Sequence, residues 1–409
     1  MDAVDDISTA RRWLILGCSL LAALTTTSVV SGVAYLIPSL HTDAGLTLTQ
    51  ASTLAAVPTV GLMAATFPWG ILLDRYGERR ILLVSLTITL AGAGAAAVAA
   101  SVAASYVVVG GALLIGGLGS GAANGASGRI VVGWFPAHQR GTAMGIRQMA
   151  QPLGIGVCAL TMPVVAASHG PAAALAIPAV VTAAGLVAVI VGITDPPRRG
   201  AAERIGETVA PRPNPYRGNS FLARVHLVSM LLVIPQSMLW TFVPTWLIVA
   251  HGWSPAGAGL LITVTQVTGA LGRIVAGRWS DAWMSRMRPI RIIAVAGVAS
   301  MFALALADWL DSPWAPALMA VATVISVADN GLAFTAIAEF VGPDWSGRGL
   351  AVQNTGQHLV VAATTPLLGA LIAAVGFPLA FAVTALAPLA AAPFVPRDRA
   401  REPGELMDA

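Results

Sequence analysis

The chain has 409 residues, of which 56% are apolar and 10% charged, with a mean hydropathy of +0.77. A soluble domain carries about 25% charged residues, so this chain has too few to clothe a water-facing surface. Its 23 basic residues, all arginine, stand against 19 acids and are scattered through short polar breaks; they suit orientation in a bilayer rather than a nucleic-acid face.

Taken in order, residues 13–42 and 44–73 contain no charged side chain, and neither do 81–128, 148–194, 225–272 and 349–396. A helix needs ~20 residues to cross a ~30 Å hydrocarbon core. Each of the last four runs therefore holds two crossings. Apolar windows and their breaks predict twelve transmembrane helices, near 13–40, 50–73, 81–101, 105–134, 141–166, 171–194, 225–250, 256–278, 291–310, 315–341, 349–374 and 376–395. The first lacks a small-residue cleavage site and reads as a retained helix. Between the sixth and seventh, residues 195–224 combine five prolines with six arginines, as a polar linker would. The predicted organisation is an N-terminal bundle over 1–194, the linker over 195–224, a C-terminal bundle over 225–395 and a tail over 396–409.

With the N-terminus inside, twenty arginines fall on the cytoplasmic side, and Asp43, Asp308 and Asp311 lie on the other. The positive-inside rule then puts both termini in the cytoplasm of a multi-pass cell-membrane protein. Only Arg129, Arg147 and Arg273 enter predicted helices. Cys18 and Cys158 both sit in apolar runs, which excludes a disulfide framework. No His-x-x-x-His pair or Cys cluster offers metal-ligand spacing, so neither metal nor cofactor is expected. No Gly-x-Ser-x-Gly, His-Glu-x-x-His or paired intramembrane carboxylates point to an enzyme.

Short matches recur at one offset. Gly70-Ile-Leu-Leu-Asp74 returns as Gly277-Arg-Trp-Ser-Asp281, 207 positions later; Arg140-Gly141 returns as Arg348-Gly349 at 208. Asn124-Gly125 matches Asn330-Gly331, and Pro38-Ser39 matches Pro244-Thr245, both at 206. Together they indicate a duplication: an all-α fold of two pseudo-symmetric six-helix bundles, with a solute site between the halves near the midplane.

The loop Gly70-Ile-Leu-Leu-Asp74-Arg75-Tyr-Gly77-Glu-Arg79-Arg80 resembles the signature loop of the major facilitator superfamily (MFS), with its degenerate copy between the eighth and ninth helices. The resemblance implies a secondary transporter working by alternating access. Gly70 and Gly77 permit close helix approach and a tight turn. By resemblance, Asp74 latches the halves by engaging the start of the eleventh helix near Gly349, with Arg129 as a possible partner. Arg75, Arg79 and Arg80 read equally as topology signals. Gly117, Gly121 and Gly125 on the fourth helix make a face of small residues for close packing. Where drug–proton antiporters of the superfamily carry an arginine on that helix, this chain has Ile115, which counts against a typical proton-driven drug exporter.

An ionisable residue inside a membrane helix is costly and marks function by default. Arg273 lies eight residues before Asp281, roughly 12 Å along the helix, with Gln266 on the same face. This stretch resembles the eighth helix of oxalate–formate exchangers and monocarboxylate porters, where an arginine binds the substrate carboxylate. A guanidinium suits a planar carboxylate through paired charge-assisted hydrogen bonds; the alternative is a structural ion pair. Thr66 replaces the second arginine of nitrate porters, and the absence of lysine departs from the oxalate exchangers, so a singly charged carboxylate fits better. Arg147, with Gln151 one turn on, either adds a second cationic contact or snorkels to the interface. Asn124, Asn330, Asn354 and Gln357 are further polar candidates for the site. Asp329 and His358 are the candidate proton-coupling groups, Asp329 having the alternative role of neutralising Arg273. Tyr35 and Trp240 line a cavity wall or simply pack.

The expectation is a monomeric, proton-coupled transporter of a small organic anion. Its partners are the bilayer, the solute and the proton. Efflux of hydrophobic or drug-like compounds is the alternative. A transporter-like sensor is more remote, because only short tails flank the helices.

Overall fold

The computed structural model describes residues 7–136, 139, 143, 146–196, 214–217, 220–341 and 343–397. Among them every regular element is helical. Most of the predicted linker, Arg140 and the last tail residues lie outside the described residues.

The first helix, α1 (Thr9–Gly32), begins where the Ser8 hydroxyl accepts the Arg11 N–H, satisfying one of the donors a helix start leaves open. It continues through a 3-10 turn (Val33–Leu36) into Ile37–Thr42. Helix α2 (Leu48–Tyr76) opens on a reciprocal capping box between Thr47 and Gln50. It stops at Gly77, whose φ of 95° suits glycine and turns the chain into α3 (Glu78–Ser101). Helix α4 is Tyr106–Trp134. The next helix runs from Ala150 to Gly192, 43 residues. At ~1.5 Å per residue it is about twice the length a bilayer core needs. Gly170 breaks it with a φ of 83°, giving α5 (150–169) and α6 (171–192).

In the second half, α7 is Phe221–Thr245 with a π-turn over Trp246–Ala250; α8 is Pro255–Ala282 and α9 is Met287–Trp309. Helix α10 comes in two pieces, Ala315–Val327 and Asn330–Val341, interrupted at Ala328 and Asp329. The following 42-residue helix, Pro343–Thr384, breaks at Gly376 (φ 77°). That yields α11 (343–375) and α12 (377–394). Among the described residues ten helices are long and apolar enough to span a membrane, and two of these, Ile146–Gly192 and Arg348–Phe394, contain the glycine breaks. Twelve crossings result, as the sequence predicts. The breaks lie 206 positions apart, the offset of the repeat. The irregular turns on α1 and α7 fall beside Pro38 and Pro244, the prolines of the repeat match.

Two compact units form. The first comprises Met1–Pro211, Ser237–Val267 and His358–Phe377; the second comprises Arg212–Gln236, Thr268–Gln357 and Pro378–Ala409. The unit limits thus cut α7, α8 and the α11–α12 stretch as well as the linker. In the first unit α4 packs tightly against its neighbours. A Cβ on Gly117 would overlap the Pro58 backbone of α2, and one on Gly121 would lie 2.9 Å from the Trp69 ring. On Gly125 it would make ordinary contact with Leu73 at 3.4 Å. The Trp69 indole N–H donates to the Leu118 carbonyl at 2.7 Å and the Thr26 hydroxyl to the Ser120 carbonyl at 3.0 Å. The small-residue face of the fourth helix is therefore a packing face. The same unit joins outer parts of later helices: Gly259 of α8 abuts the Ala159 backbone of α5, and Gly369 of α11 abuts Ser52 of α2. The core of the second unit is built from Leu222, Val225 and Leu232 of α7, Ile290 and Ile293 of α9, and Leu332 and Ile337 of α10.

Candidate functional site

Asp329 sits at the interruption of α10 and is 2% exposed. A helix break frees backbone groups at membrane depth, which is tolerated only inside protein or beside water. Asp329 lines two narrow gaps, neither roomier than a single water, one shared with Ser229 and Val225 of α7 and Met287 and Ile290 of α9, the other with Pro235, Ile293 and Ser326. Arg273, half-buried on α8, is near enough for the two charges to interact. The two residues at the head of the sequence-predicted site therefore lie in one unit and sense one another.

Asn330, next in the chain, enters a chain of side-chain hydrogen bonds across three helices. Its amide donates to Gln236 Oε1 on α7 at 3.1 Å, and its oxygen accepts from Gln357 Nε2 on α11 at 3.2 Å. Gln357 also donates to Ser229 Oγ at 2.8 Å, and Gln353 donates to the same hydroxyl. Gln353 Oε1 faces His226 Nδ1 at 2.7 Å, and His226 Nε2 lies 3.1 Å from the Tyr216 hydroxyl. Gln236, Ser229, His226 and Gln353 are each 5% exposed or less. Burial of so many polar groups is tolerable because the chain satisfies them. Asn330 and Gln357 are among the candidates the sequence offers for the site, whereas Gln353, Ser229, His226 and Tyr216 are not. Gln353, four residues before Gln357 on the same helical face, and His226 with Ser229, three apart on α7, carried the overlooked signal.

Other predicted positions do not join this group. Asn354 makes no hydrogen bond among the described residues and is half-buried, its neighbour Gln353 taking the inward place. Asn124 is exposed on α4, unlike its repeat partner Asn330. Gln266 is buried on the part of α8 that belongs to the first unit, as His358 does on α11. Arg147 also lies in the first unit, with its guanidinium against Gly128 of α4 and a buried Nε that has no partner. Gln151, one turn on, is half-buried. Tyr35 is 2% exposed inside the 3-10 turn, while the Trp240 indole N–H is buried without a partner.

At the loop after α2, Gly77 makes the expected turn, but Gly70 does not mediate a close approach. A Cβ there would meet nothing within 4 Å, and the same is true at Gly277. The Asp74 side chain lies outside the described residues. Arg129 is bound to Glu78, which is 2% exposed, at 2.8 Å. Arg75 lies over the Tyr76 ring, Arg79 donates to the Ile190 carbonyl, and Arg80 is exposed. In the second unit Arg286 joins Asp281 of the repeated loop to Glu339 of α10, at 2.5 and 2.8 Å. Donation of hydrogen bonds to the Glu339 carboxylate raises the Arg286 proton affinity above its ordinary value, so this cation stays charged. Both units thus tie the loop to the helix two further on, with the charges exchanged: acid on the loop and base on α4, then base on the loop and acid on α10.

The sequence profile of the Major Facilitator Superfamily matches residues 15–365 and, in an overlapping match, 225–406. Over 392 residues the chain is 46% identical to the uncharacterized MFS-type transporter Rv2994 of Mycobacterium tuberculosis (strain ATCC 25618 / H37Rv), covering 96% of this chain and 86% of that one. It is 22% identical over 348 residues to the probable galactarate/D-glucarate transporter GudP of Bacillus subtilis (strain 168), covering 76% and 74%. The crystal structure of a D-xylose-proton symporter superposes with a TM-score of 0.73 at 18% identity, covering 94% of this chain and 98% of that one. With twelve crossings, an internal duplication and these likenesses, the chain belongs to the Major Facilitator Superfamily and is a multi-pass membrane transporter rather than an enzyme.

Proposed function

We propose that the protein moves a small organic anion, such as a monocarboxylate, in symport with protons. The observation that carries this reading is the juxtaposition of Arg273 and a buried Asp329 at the break of α10. A guanidinium inside a membrane protein recognises a carboxylate by charge and by its planar fork of donors. When the solute carboxylate leaves, Asp329 takes its place beside the cation; when solute is bound, a proton on Asp329 removes the competing negative charge. Solute and proton are thereby favoured together, which is the thermodynamic content of symport.

Gln236, Asn330 and Gln357 supply neutral donors and acceptors for hydroxyl or carbonyl groups on the same solute. Similarity to a probable galactarate/D-glucarate transporter and to a D-xylose-proton symporter favours a hydroxylated anion within this class. The bundles over 1–194 and 225–395 would alternate access around this site, Asp74 and Arg129 acting at the gating loop. Both termini and the 195–224 linker lie in the cytoplasm, the protein is a monomer, and its membrane is the cell membrane. The segregation of arginines supports this orientation.

The test is initial uptake of lactate, D-glucarate and uncharged D-xylose into proteoliposomes, with and without an inward proton gradient. Saturable anion uptake that the gradient accelerates supports the proposal. Uptake of xylose alone, or anion uptake indifferent to the gradient, contradicts it.

A further inference from the structure

His226 stands at the outer end of the hydrogen-bond chain and has no role in the proposed solute contacts, yet it is 5% exposed and bonded through both ring nitrogens. The Gln353 amide gives its N–H to Ser229, so the oxygen it turns to His226 accepts and Nδ1 carries the hydrogen. In the neutral ring Nε2 is then an acceptor, and the Tyr216 hydroxyl donates to it. If Nε2 takes up a proton, the Tyr216 hydroxyl need only rotate about its C–O bond to accept instead. The Gln353 bond survives and becomes charge-assisted. Both protonation states of the ring are fully hydrogen-bonded without movement of a heavy atom, a condition that a histidine serving only for packing does not need. Tyr216 is half-buried in the segment that leads into α7, and burial raises its phenol above the usual range, so it serves as a neutral hydroxyl.

Among the described residues, the charged and titratable groups near this ring are few. From α7 itself, Arg224 is turned to the Phe394 and Pro393 carbonyls. From α9, Arg291 is turned to the Val395 carbonyl. From α11 comes neutral Gln353. From α10 comes Asp329, which lines a narrow gap with Ser229.

We propose that His226 is a second proton-binding site of the transporter, reached from the linker side through Tyr216 and joined by Gln353 and Ser229 to the gap that Asp329 lines. A proton arriving at Nε2 places a positive charge at the end of the amide chain that runs on to Gln357, Asn330 and Gln236. That charge draws the Gln353 oxygen toward the ring and strengthens its N–H as a donor to Ser229. Proton occupancy at the linker side is thus communicated to the polar groups of the solute site. The role assigned to the solute site rests on the preceding proposal; proton binding by the ring does not.

The experiment is NMR of the full-length protein in nanodiscs with isotope-labelled histidine, using His226→Gln to assign the ring and Tyr216→Phe to remove its outer partner. The ring should show the Nδ1–H tautomer at high pH and carry protons on both nitrogens at low pH. In Tyr216→Phe the transition should move to lower pH, because the charged ring loses its acceptor. A ring that stays neutral at low pH, or a transition unmoved in Tyr216→Phe, overturns the proposal. Should His226→Gln fail to fold, the ring is assigned instead by its hydrogen-bond coupling to the labelled Gln353 side chain. Failure of proton-driven uptake would remove the coupling role of Asp329 and leave the ring titration to be decided on its own.

Discussion

Replacing Gly119 of α4 by alanine puts one of the close helix contacts of the first unit to a quantitative test. A Cβ there would lie 2.5 Å from the Thr89 backbone nitrogen, 2.5 Å from its hydroxyl and 2.7 Å from the Ser85 carbonyl, all on α3. The Thr89 hydroxyl is itself bonded to the Ser85 carbonyl at 2.8 Å, so no flexible side-chain end can swing away. Ordinary contact requires about 3.5 Å, so α3 and α4 must separate by nearly 1 Å. Overpacking of this kind costs about 1–3 kcal/mol, and the rigid neighbours place Gly119→Ala at the upper end. Alanine recovers about 1 kcal/mol of helix propensity, which leaves a net loss of about 2 kcal/mol. Gly94, in the middle of α3, is the internal control, since a Cβ there meets nothing within 4 Å. Gly94→Ala keeps only the propensity gain. At about 2–4 °C per kcal/mol for a unit of roughly 200 residues, thermal unfolding in detergent should fall by about 4–8 °C for Gly119→Ala. It should rise by about 2–4 °C for Gly94→Ala. Shifts of the same sign and size in both variants would refute the packing argument.

Gly170→Ala and Gly376→Ala force a Cβ into positive φ at the two mid-helix turns; each should lower stability by about 1–2 kcal/mol in the same unfolding assay. Arg129→Met strands the buried Glu78 carboxylate, whose second oxygen already has no partner. It should cost about 3–5 kcal/mol, and Glu78→Gln in the same background should restore part of the loss. Arg286→Gln, by contrast, removes a cation whose partners are half or more exposed, so less than about 1 kcal/mol should be lost. Because Arg286 is held above its ordinary value, its pairing is present throughout the neutral range and is lost only as the pH rises past that raised value. The deficit of Arg286→Gln should therefore be equal at about pH 6 and about pH 8.

The helices, their duplication and the Arg273–Asp329 pair were legible in the sequence for one physical reason. A charge inside an apolar run is expensive in a bilayer, so its position carries information that a charge in a soluble protein does not. That each long run divides into two crossings was equally legible, because a 43-residue apolar run exceeds a single crossing, though the breaking residues Gly170 and Gly376 did not stand out. The amide chain was not legible. Neutral residues such as Gln353, Ser229 and His226 are individually compatible with packing, and only the positions of three helices show that they meet. Glu78 was hidden for a different reason: within an arginine-rich loop it read as part of the motif rather than as the buried partner of Arg129. The resemblance of the loop likewise suggested packing at Gly70, where the fold leaves open space.

The central claim, an anion held by Arg273 against Asp329, is tested most directly by binding rather than flux. The measurement is equilibrium binding of D-glucarate and lactate to wild-type, Arg273→Ala and Asp329→Asn protein in nanodiscs at one pH. Loss of a charge-assisted pair worth about 1.5–3 kcal/mol should weaken the bound anion about 10- to 150-fold in Arg273→Ala. Asp329→Asn, which removes the competing negative charge, should bind at least as tightly as wild type. Undiminished anion affinity in Arg273→Ala would contradict the account.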